Sequence, residues 1–267
     1  MGRRDARFPS RRRALDVSAA VDPARHLTEQ AYQEERDTAH PPAKVRDASS
    51  LIVFDPAGPS VLMGRRSTRH TFMPGRFVFP GGRVDAADSR VPVALPYHPA
   101  TARKLATSVS KRLGETRVRA FGIAALRETF EETGVLVGRD DLERIPRSPP
   151  FAAFKARGLA LDLSALSFVA RAITPPGRPR RYDTRFFLVA RDKVAAIDET
   201  LVGGANAELE EIAWVPVETA RTMDLPTITH TVIDEVMTRL AEDPALSPDA
   251  PVPFYRWQRK AFTRQLL

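Results

Sequence analysis

Apolar positions along the chain fall into short runs separated by turn signals. Ser49 to Phe54 and Val61 to Arg65 predict two strands joined by a turn at Asp55-Pro56-Ala57-Gly58-Pro59-Ser60. Phe77-Val78-Phe79 predicts a third strand that runs into Pro80-Gly81-Gly82. Val118 to Thr133 has no proline and stops at Gly134, as a helix with a glycine stop does. Helices are also expected at Pro99 to Leu113, Phe151 to Arg157 and Thr227 to Leu240. The last of these carries Ile228, Val232, Val236 and Leu240 on one stripe and reads as a packing helix. Val135 to Val137, Leu166 to Ile173 and Asp183 to Val189 predict strands, as does Glu208 to Pro216, where Ile212, Trp214 and Pro216 alternate. Strands interrupted by helices predict an α/β fold.

Ordered structure is expected from about Ala48. Residues 1–46 read as a basic leader without a fixed fold: residues 1–13 hold six arginines against Asp5, and Pro23, Pro41 and Pro42 follow amid mixed charges. One short helix is expected there, at Thr28 to Arg36. A tail of this charge also suits nucleic acid, anionic lipid or a presequence, but it lacks regular apolar spacing, so the leader reading is preferred. Residues 47–245 form the main domain, and 246–267 a C-terminal extension. The extension mixes Phe254, Tyr255 and Trp257 with Arg256, Arg259, Lys260 and Arg264, and either packs back on the domain or mediates self-association as a homodimer.

The chain has 267 residues, enough for one sizeable core, and 43% hydrophobic content is ordinary for a globular protein. With no cysteine, a disulfide framework, a thiolate metal site and a cysteine nucleophile are all excluded. No apolar run approaches the length of a membrane-spanning helix. The expectation is a cytoplasmic protein with a small-molecule partner, and with neither a membrane nor a nucleic acid as its target, despite a net charge of +8.

The chemistry concentrates in Arg127-Glu128-Thr129-Phe130-Glu131-Glu132-Thr133-Gly134. On a helix, Glu128, Glu131 and Glu132 stand at i, i+3 and i+4 and share a face. Carboxylates that close raise one another's pKa unless a cation sits among them, and a hard divalent metal such as Mg²⁺ is the usual solution. Arg127 lies four residues before Glu131 and can fix that carboxylate's orientation. The bland alternative is a solvated acidic face. Against it stands the two-glycine turn upstream, where a backbone carbonyl can approach a metal with no Cβ in the way.

Together these motifs resemble the signature of the Nudix hydrolases, G-x5-E-x7-R-E-U-x-E-E-x-G-U, with U a bulky apolar residue. Arg127, Glu128, Glu131, Glu132, Gly134 and Val135 match, and Thr129 stands where an apolar residue is expected. Counting from Gly82, the first glutamate position falls on Asp88. Asp88 and Arg127 are separated by 38 residues where the pattern has seven, which places an insertion at about 89–118. The resemblance implies an α/β/α sandwich with a mixed sheet and a helical insertion between the Gly-Gly turn and the signature helix. It also implies hydrolysis of a diphosphate joined to another group, dependent on Mg²⁺ (or Mn²⁺) held by Glu128, Glu131, Glu132 and the carbonyl of Gly81. The proton acceptor would be Glu128 or Glu208, the second drawn from the loop before a strand.

The loop before the glycine turn is similar to the coenzyme A diphosphatase branch, L-L-T-x-R-[SA]-x3-R-x3-G-x3-F-P-G-G. Leu62, Met63, Arg66, Ser67, Gly75 and Phe79 to Gly82 match; Gly64 and Thr71 depart, with Arg69 two residues from the arginine position. Coenzyme A or acyl-coenzyme A is therefore the expected substrate, with Arg66 and Arg69 meeting its 3′-phosphate. The alternatives are ADP-ribose or another nucleoside diphosphate derivative. Arg181, Tyr182 and Arg185 are expected to clamp the diphosphate, although strand alternation sends Arg181, Asp183 and Arg185 to one face and Tyr182 to the other. In the insertion, Arg103, Lys104, Lys111 and Arg112 either cap the site or form a solvated face, the second being preferred. His230 reads as a surface or capping residue. The reading of a different class is a Nudix-fold module that binds nucleotide or RNA without catalysis. Retention of all three signature carboxylates weighs against it.

Overall fold

The computed structural model describes residues 22–36, 43–67, 74–107, 112–198 and 208–267. Its centre is a mixed sheet. Strands β1 (Val45–Asp55) and β2 (Ser60–Arg66) are followed by the short β3 (Phe77–Val78) and β4 (Gly81–Arg83). Next come β5 (Val93–Leu95), helix α2 (Pro99–Leu105), the long α3 (Glu115–Thr133), β6 (Val135–Leu136) and β7 (Gly138–Asp140). The chain continues through α4 (Ala152–Ala156), β8 (Leu159–Asp162), β9 (Ser167–Ile173), β10 (Arg181–Ala190), β11 (Ala196–Ile197) and β12 (Leu209–Pro216). It ends with α5 (Val217–Ala220), α6 (Thr227–Glu242), β13 (Pro253–Gln258) and β14 (Ala261–Leu266), and α1 (Glu29–Glu34) precedes them all.

The main sheet runs in the order β12-β2-β1-β10-β9-β13-β14, with β3 beside β2 and β4 beside β1. Its centre is the parallel pair β1–β10, in which Val45 lies opposite Arg181 and Phe54 opposite Ala190. Alternation along these strands builds two cores. Leu51, Val53, Leu62, Phe187 and Val189 pack with Phe121, Ala124 and Ala125 of α3 on one face. Ile52, Phe54, Val61, Met63, Phe186 and Leu188 pack with Val232, Ile233 and Val236 of α6 on the other. A central sheet buried on both faces shows near-continuous apolar runs, as β1 and β2 do. The result is the expected α/β/α sandwich. Helix α3 stops at Gly134, whose φ of 73° is left-handed and whose N–H returns to Phe130 O at 2.8 Å.

The insertion leaves the main sheet. It carries β5, which joins β8 and β7 in a separate three-stranded sheet, and α2, which is shorter than the expected Pro99 to Leu113. Lys104 of α2 donates to the carbonyls of Pro248 and Ala250, so it is tied to the C-terminal segment and not solvated as expected. Residues 108–111, Lys111 among them, lie outside the described residues.

Two segments add to the sequence expectation. The C-terminal extension packs back on the domain, one of its two expected courses, and completes the sheet: β13 runs parallel to β9 and pairs with β14 in a hairpin. Its two-residue turn is Arg259-Lys260, both at positive φ (49° and 64°). Such turns favour Asn-Gly, so no hairpin signal is present in the sequence. The leader is corrected for residues 22–36. The expected helix forms as α1, with the Thr28 side chain accepting from Ala31 N. Tyr32 is buried and stacks on Trp257 with ring centroids 4.0 Å apart. His26 stands 3.0 Å from Asp234 and 5.1 Å, ring to ring, from His230. These contacts span the length of the chain, so no local pattern announces them.

Deleting residues 1–36 should therefore lower the melting temperature by several degrees and shift Trp257 emission to the red, because the ring loses its stacked partner. Unchanged emission in the truncated protein would show that the segment does not cover that ring.

Candidate functional site

The site is built where the glycine turn meets α3. The antiparallel pairing of β4 with β1 sets Gly81 opposite Ser50 and Gly82 opposite Ser49. The Gly81 N–H donates to Glu132 Oε2 at 2.9 Å. A Cβ built on Gly82 would lie 2.6 Å from both carboxylate oxygens of Glu128. A Cβ on Gly81 would lie 2.6 Å from Ser50 Cα, and its φ is +154°. Each glycine is thus needed for its own reason, one by a carboxylate and the other by backbone.

Arg127 organises the acidic face. Its Nε and Nη2 meet the two oxygens of Asp88 at 2.9 and 3.1 Å, and Nη2 also reaches Arg83 O at 3.0 Å. Its Nη1 donates to Glu128 at 2.7 Å and to Glu131 at 3.2 Å. The expected contact with Glu131 is present, and Asp88, the residue at the first glutamate position, closes the network across the insertion. Buried ionic groups of this kind cost about 3–5 kcal/mol when one partner is removed. The carboxylates respond to their surroundings. Burial raises the Glu128 pKa despite Arg127, with Glu131 and Glu208 adding repulsion. Burial likewise raises Glu131, with Asp88 and Asp85 as like charges. Glu132 is raised furthest by burial, with Glu208 and Glu128 repelling it and the Gly81 N–H opposing.

A cleft of about 440 Å³ opens from this corner. Glu128, Gly81, Gly82 and Asp85 form one end, with Arg66 ion-paired to Glu208 at the rim. The cleft crosses the ends of β9 and β10 past Tyr182, Thr184 and Phe186 to the start of α6. There Tyr255, Phe262 and Ile228 make an apolar wall, and Leu27 and Glu35 of the supposed leader line it as well. Glu35 accepts from the Thr227 hydroxyl at 2.6 Å and pairs with buried Arg178 at 2.8 Å. Ser49 also lines the cleft, and its buried Oγ has no hydrogen-bond partner among the described residues.

The structure thus gathers Arg66, Glu208, Tyr182, Gly81 and Glu128 at the cleft, with Glu131 and Glu132 flanking Glu128 on α3. Arg69 and Thr71 lie outside the described residues. Arg185 is corrected. Only 1% exposed, it points to the α3 side, where it donates to Asp47 at 2.6 Å and lies 3.9 Å above the Phe121 ring. Arg181 shares that side of β10, and its Nε donates to Thr174 O and Pro175 O. Alternation forbids the three-residue clamp, because Tyr182 faces the cleft and its neighbours do not. Sequence reasoning missed Arg178, Ser49, Tyr255 and Phe262. The rigid Pro175-Pro176-Gly177-Arg178-Pro179 loop is the one signal that could have pointed to Arg178.

Among the described residues no three acidic or histidine side chains stand ready as a coordination sphere. The donor chemistry nonetheless fits a hard divalent cation: Asp85, Asp88, Glu128, Glu131, Glu132 and Glu208 outnumber Arg66 and Arg127, beside a turn of two glycines. No helix among the described residues is long and apolar enough to cross a membrane.

Fold and site together define an α/β/α sandwich with a carboxylate-rich helix set against a glycine turn. No family model matches the chain. By sequence it is 30% identical over 182 residues to a putative nudix hydrolase 7 of Caenorhabditis elegans, covering 64% of this chain and 51% of that protein. It is 31% identical over 205 residues to an acyl-coenzyme A diphosphatase of Gallus gallus, covering 54% of each. Among solved structures, a NUDIX hydrolase from Alicyclobacillus acidocaldarius aligns with a TM-score of 0.47 and 27% identity, covering 76% of this chain and 85% of that one. By sequence the chain is thus similar to Nudix hydrolases over somewhat more than half of its length. It spans about half the length of the curated relatives it matches.

Two predictions follow from the geometry. Gly82→Ala meets only the end of a flexible side chain, so it should keep the melting temperature within about 2 °C while displacing Glu128 and removing any activity that needs it. Gly81→Ala meets backbone at an unfavourable φ and should cost about 1–3 kcal/mol of stability. Reversal of that order in thermal denaturation would show that the turn is held differently.

The second concerns pH. Because the folded pKa values of Glu128, Glu131 and Glu132 lie above the usual 4.5, the folded protein holds protons that the unfolded chain releases. The cluster therefore becomes more destabilising as pH rises from about 4.5 through the raised values, and a cation that binds the ionised form offsets this. The thermal shift on adding Mg²⁺ should be larger at pH 8 than at pH 5. A shift of equal size at both would separate metal binding from these carboxylates.

Proposed function

We propose that this protein is a metal-dependent hydrolase of a diphosphate bond in a nucleoside diphosphate derivative, with coenzyme A or acyl-coenzyme A as the favoured substrate. The observation that carries this reading is the pressing of Glu128 against Gly82 at the acidic end of the cleft, with Glu131 and Glu132 on the same helix. A cleft acidic at one end and apolar at the other suits a substrate with a metal-bound diphosphate and a ring or acyl group. The name of the Gallus gallus relative supports the acyl-coenzyme A choice.

Glu128, Glu131, Glu132 and the Gly81 carbonyl would hold Mg²⁺ (or Mn²⁺). When bound, the metal polarises phosphoryl oxygens, offsets the charge that develops on them and makes bound water more acidic. The Gly81 N–H keeps Glu132 aimed at the turn, and Arg127 holds Glu128 and Glu131 in register until a cation competes for them. Glu128 or Glu208 would accept the proton of the attacking water; Glu128 has the raised pKa that favours proton uptake. Arg66, at the rim, would balance Glu208 and meet a non-bridging phosphate oxygen.

Glu132→Gln keeps an oxygen to accept the Gly81 N–H but removes the charge. It should lower kcat by about a thousandfold or more at a nearly unchanged melting temperature, since a lost metal contact costs several kcal/mol of transition-state stabilisation. Turnover within tenfold of the unmodified protein, measured with coenzyme A, acyl-coenzyme A and ADP-ribose, would overturn the metal assignment.

A further inference from the structure

A second cavity of about 500 Å³ lies beside the cleft, and its charge is one-sided. Three strand ends create it. The parallel register sets Arg46 of β1 beside Tyr182 of β10, the next residue pair along is Val45 with Arg181, and β4 ends with Arg83 opposite Ala48. Lys44 and Arg180 complete the lining, so five cations face the groove and no carboxylate lines it. Lys44, Arg46 and Arg180 are exposed, as is Arg83. None of these four side chains forms an ion pair or hydrogen bond with a described residue. Arg181 spends its Nε on the Thr174 and Pro175 carbonyls, which leaves its two terminal nitrogens for a ligand.

This arrangement is unlike the rest of the described chain, where closely packed arginines meet acids: Arg171 with Asp183, Arg185 with Asp47, Arg178 with Glu35 and Arg127 with Asp88. Five like charges around one concavity repel one another, and an anion inside relieves that repulsion. The groove also communicates with the cleft, since Arg83, Arg180 and Tyr182 line both. Arg83 follows Gly82 directly, so the groove begins one residue from the glycine that faces Glu128.

We propose that this groove binds a phosphate monoester that the substrate carries outside its diphosphate. The inference rests on the diphosphate-hydrolase reading and narrows its substrates to nucleoside diphosphate derivatives with such an additional phosphate. A dianionic monoester offers three acceptor oxygens, which match the forked donors of several arginines. The prolines at 175, 176 and 179 fix the approach of Arg180 and Arg181. On this proposal the 3′-phosphate expected at Arg66 and Arg69 goes to the groove, while Arg66, paired with Glu208, stays at the diphosphate end of the cleft; Arg69 lies outside the described residues.

The test uses the full chain with Mg²⁺, comparing coenzyme A with its 3′-dephospho form in the unmodified protein and in a Lys44→Ala/Arg46→Ala double variant. Both residues line the groove and not the cleft. The unmodified protein should favour coenzyme A by about tenfold or more in kcat/KM, and the double variant should bring that ratio to within about threefold of one. No preference in the unmodified protein, or the same preference in a folded double variant, would overturn the proposal. If neither compound is hydrolysed, the hydrolase reading fails and the groove is judged by calorimetry with adenosine 3′,5′-bisphosphate against AMP. Tighter binding of the bisphosphate, lost in the double variant, supports the groove. Equal affinities, or a stronger and variant-sensitive grip on single-stranded RNA than on either nucleotide, reject it.

Discussion

The buried guanidinium of Arg127 is the interaction on which the site depends. It accepts no protons and gives up none, so it is a fixed charge that ties helix α3 to the stretch from Arg83 to Asp88, about forty residues earlier in sequence. Through Asp88 it anchors the start of the insertion, through Arg83 O it holds the strand after the glycine turn, and through Nη1 it restrains Glu128 and Glu131. Burial disfavours a charged arginine, yet its carboxylate partners more than compensate and raise its pKa. A cation entering among Glu128 and Glu131 would compete with Arg127 for the same oxygens. The carboxylates then have somewhere to return when it leaves, which keeps the acidic face from being left uncompensated in either state.

How much of this was legible in the sequence depends on the range of the physics involved. Helix α3 and its glycine stop are local: propensity, periodicity and a left-handed cap all act within a few residues, and they placed Glu128, Glu131 and Glu132 correctly on one helix. The two strands flanking Asp55 to Ser60 are equally local. The hairpin β13–β14 was missed because Arg259 and Lys260 adopt positive φ without glycine or asparagine, so the turn is imposed by sheet pairing and not by its own residues. The packing of α1 was missed for a related reason. The helix itself was expected, but Tyr32 stacks on Trp257, some two hundred residues away, and no local pattern carries that contact.

The same distinction explains why the site was legible in part. The acidic end of the cleft comes from one helix and one turn, each with a motif. The far end is assembled from Leu27 and Glu35, the start of α6, and Tyr255 and Phe262 of the hairpin, with no motif among them. These pieces lie outside the stretch that carries the family signature. The acidic end and the apolar wall of the cleft are therefore written in different parts of the chain, and the second can change without disturbing the first.

Strand β10 shows how a residue type alone misleads. Arg181, Asp183 and Arg185 occupy one parity and Tyr182, Thr184 and Phe186 the other, so no arrangement of side chains can bring all three expected binders into one cleft. The α3-facing parity is divided further along its length. Near the strand's middle, Arg185 is enclosed by Asp47, the Asp183 carbonyl and the Phe121 ring, and it stabilises the sheet as a neutralised ion. Four residues earlier, at the open end of β10, Arg181 has no carboxylate partner among the described residues and faces Arg46, Arg83 and Arg180 across a groove. What separates the two arginines is depth along the strand: Arg185 meets acids where the sheet is closed, and Arg181 has none among the described residues where the strand opens onto the groove.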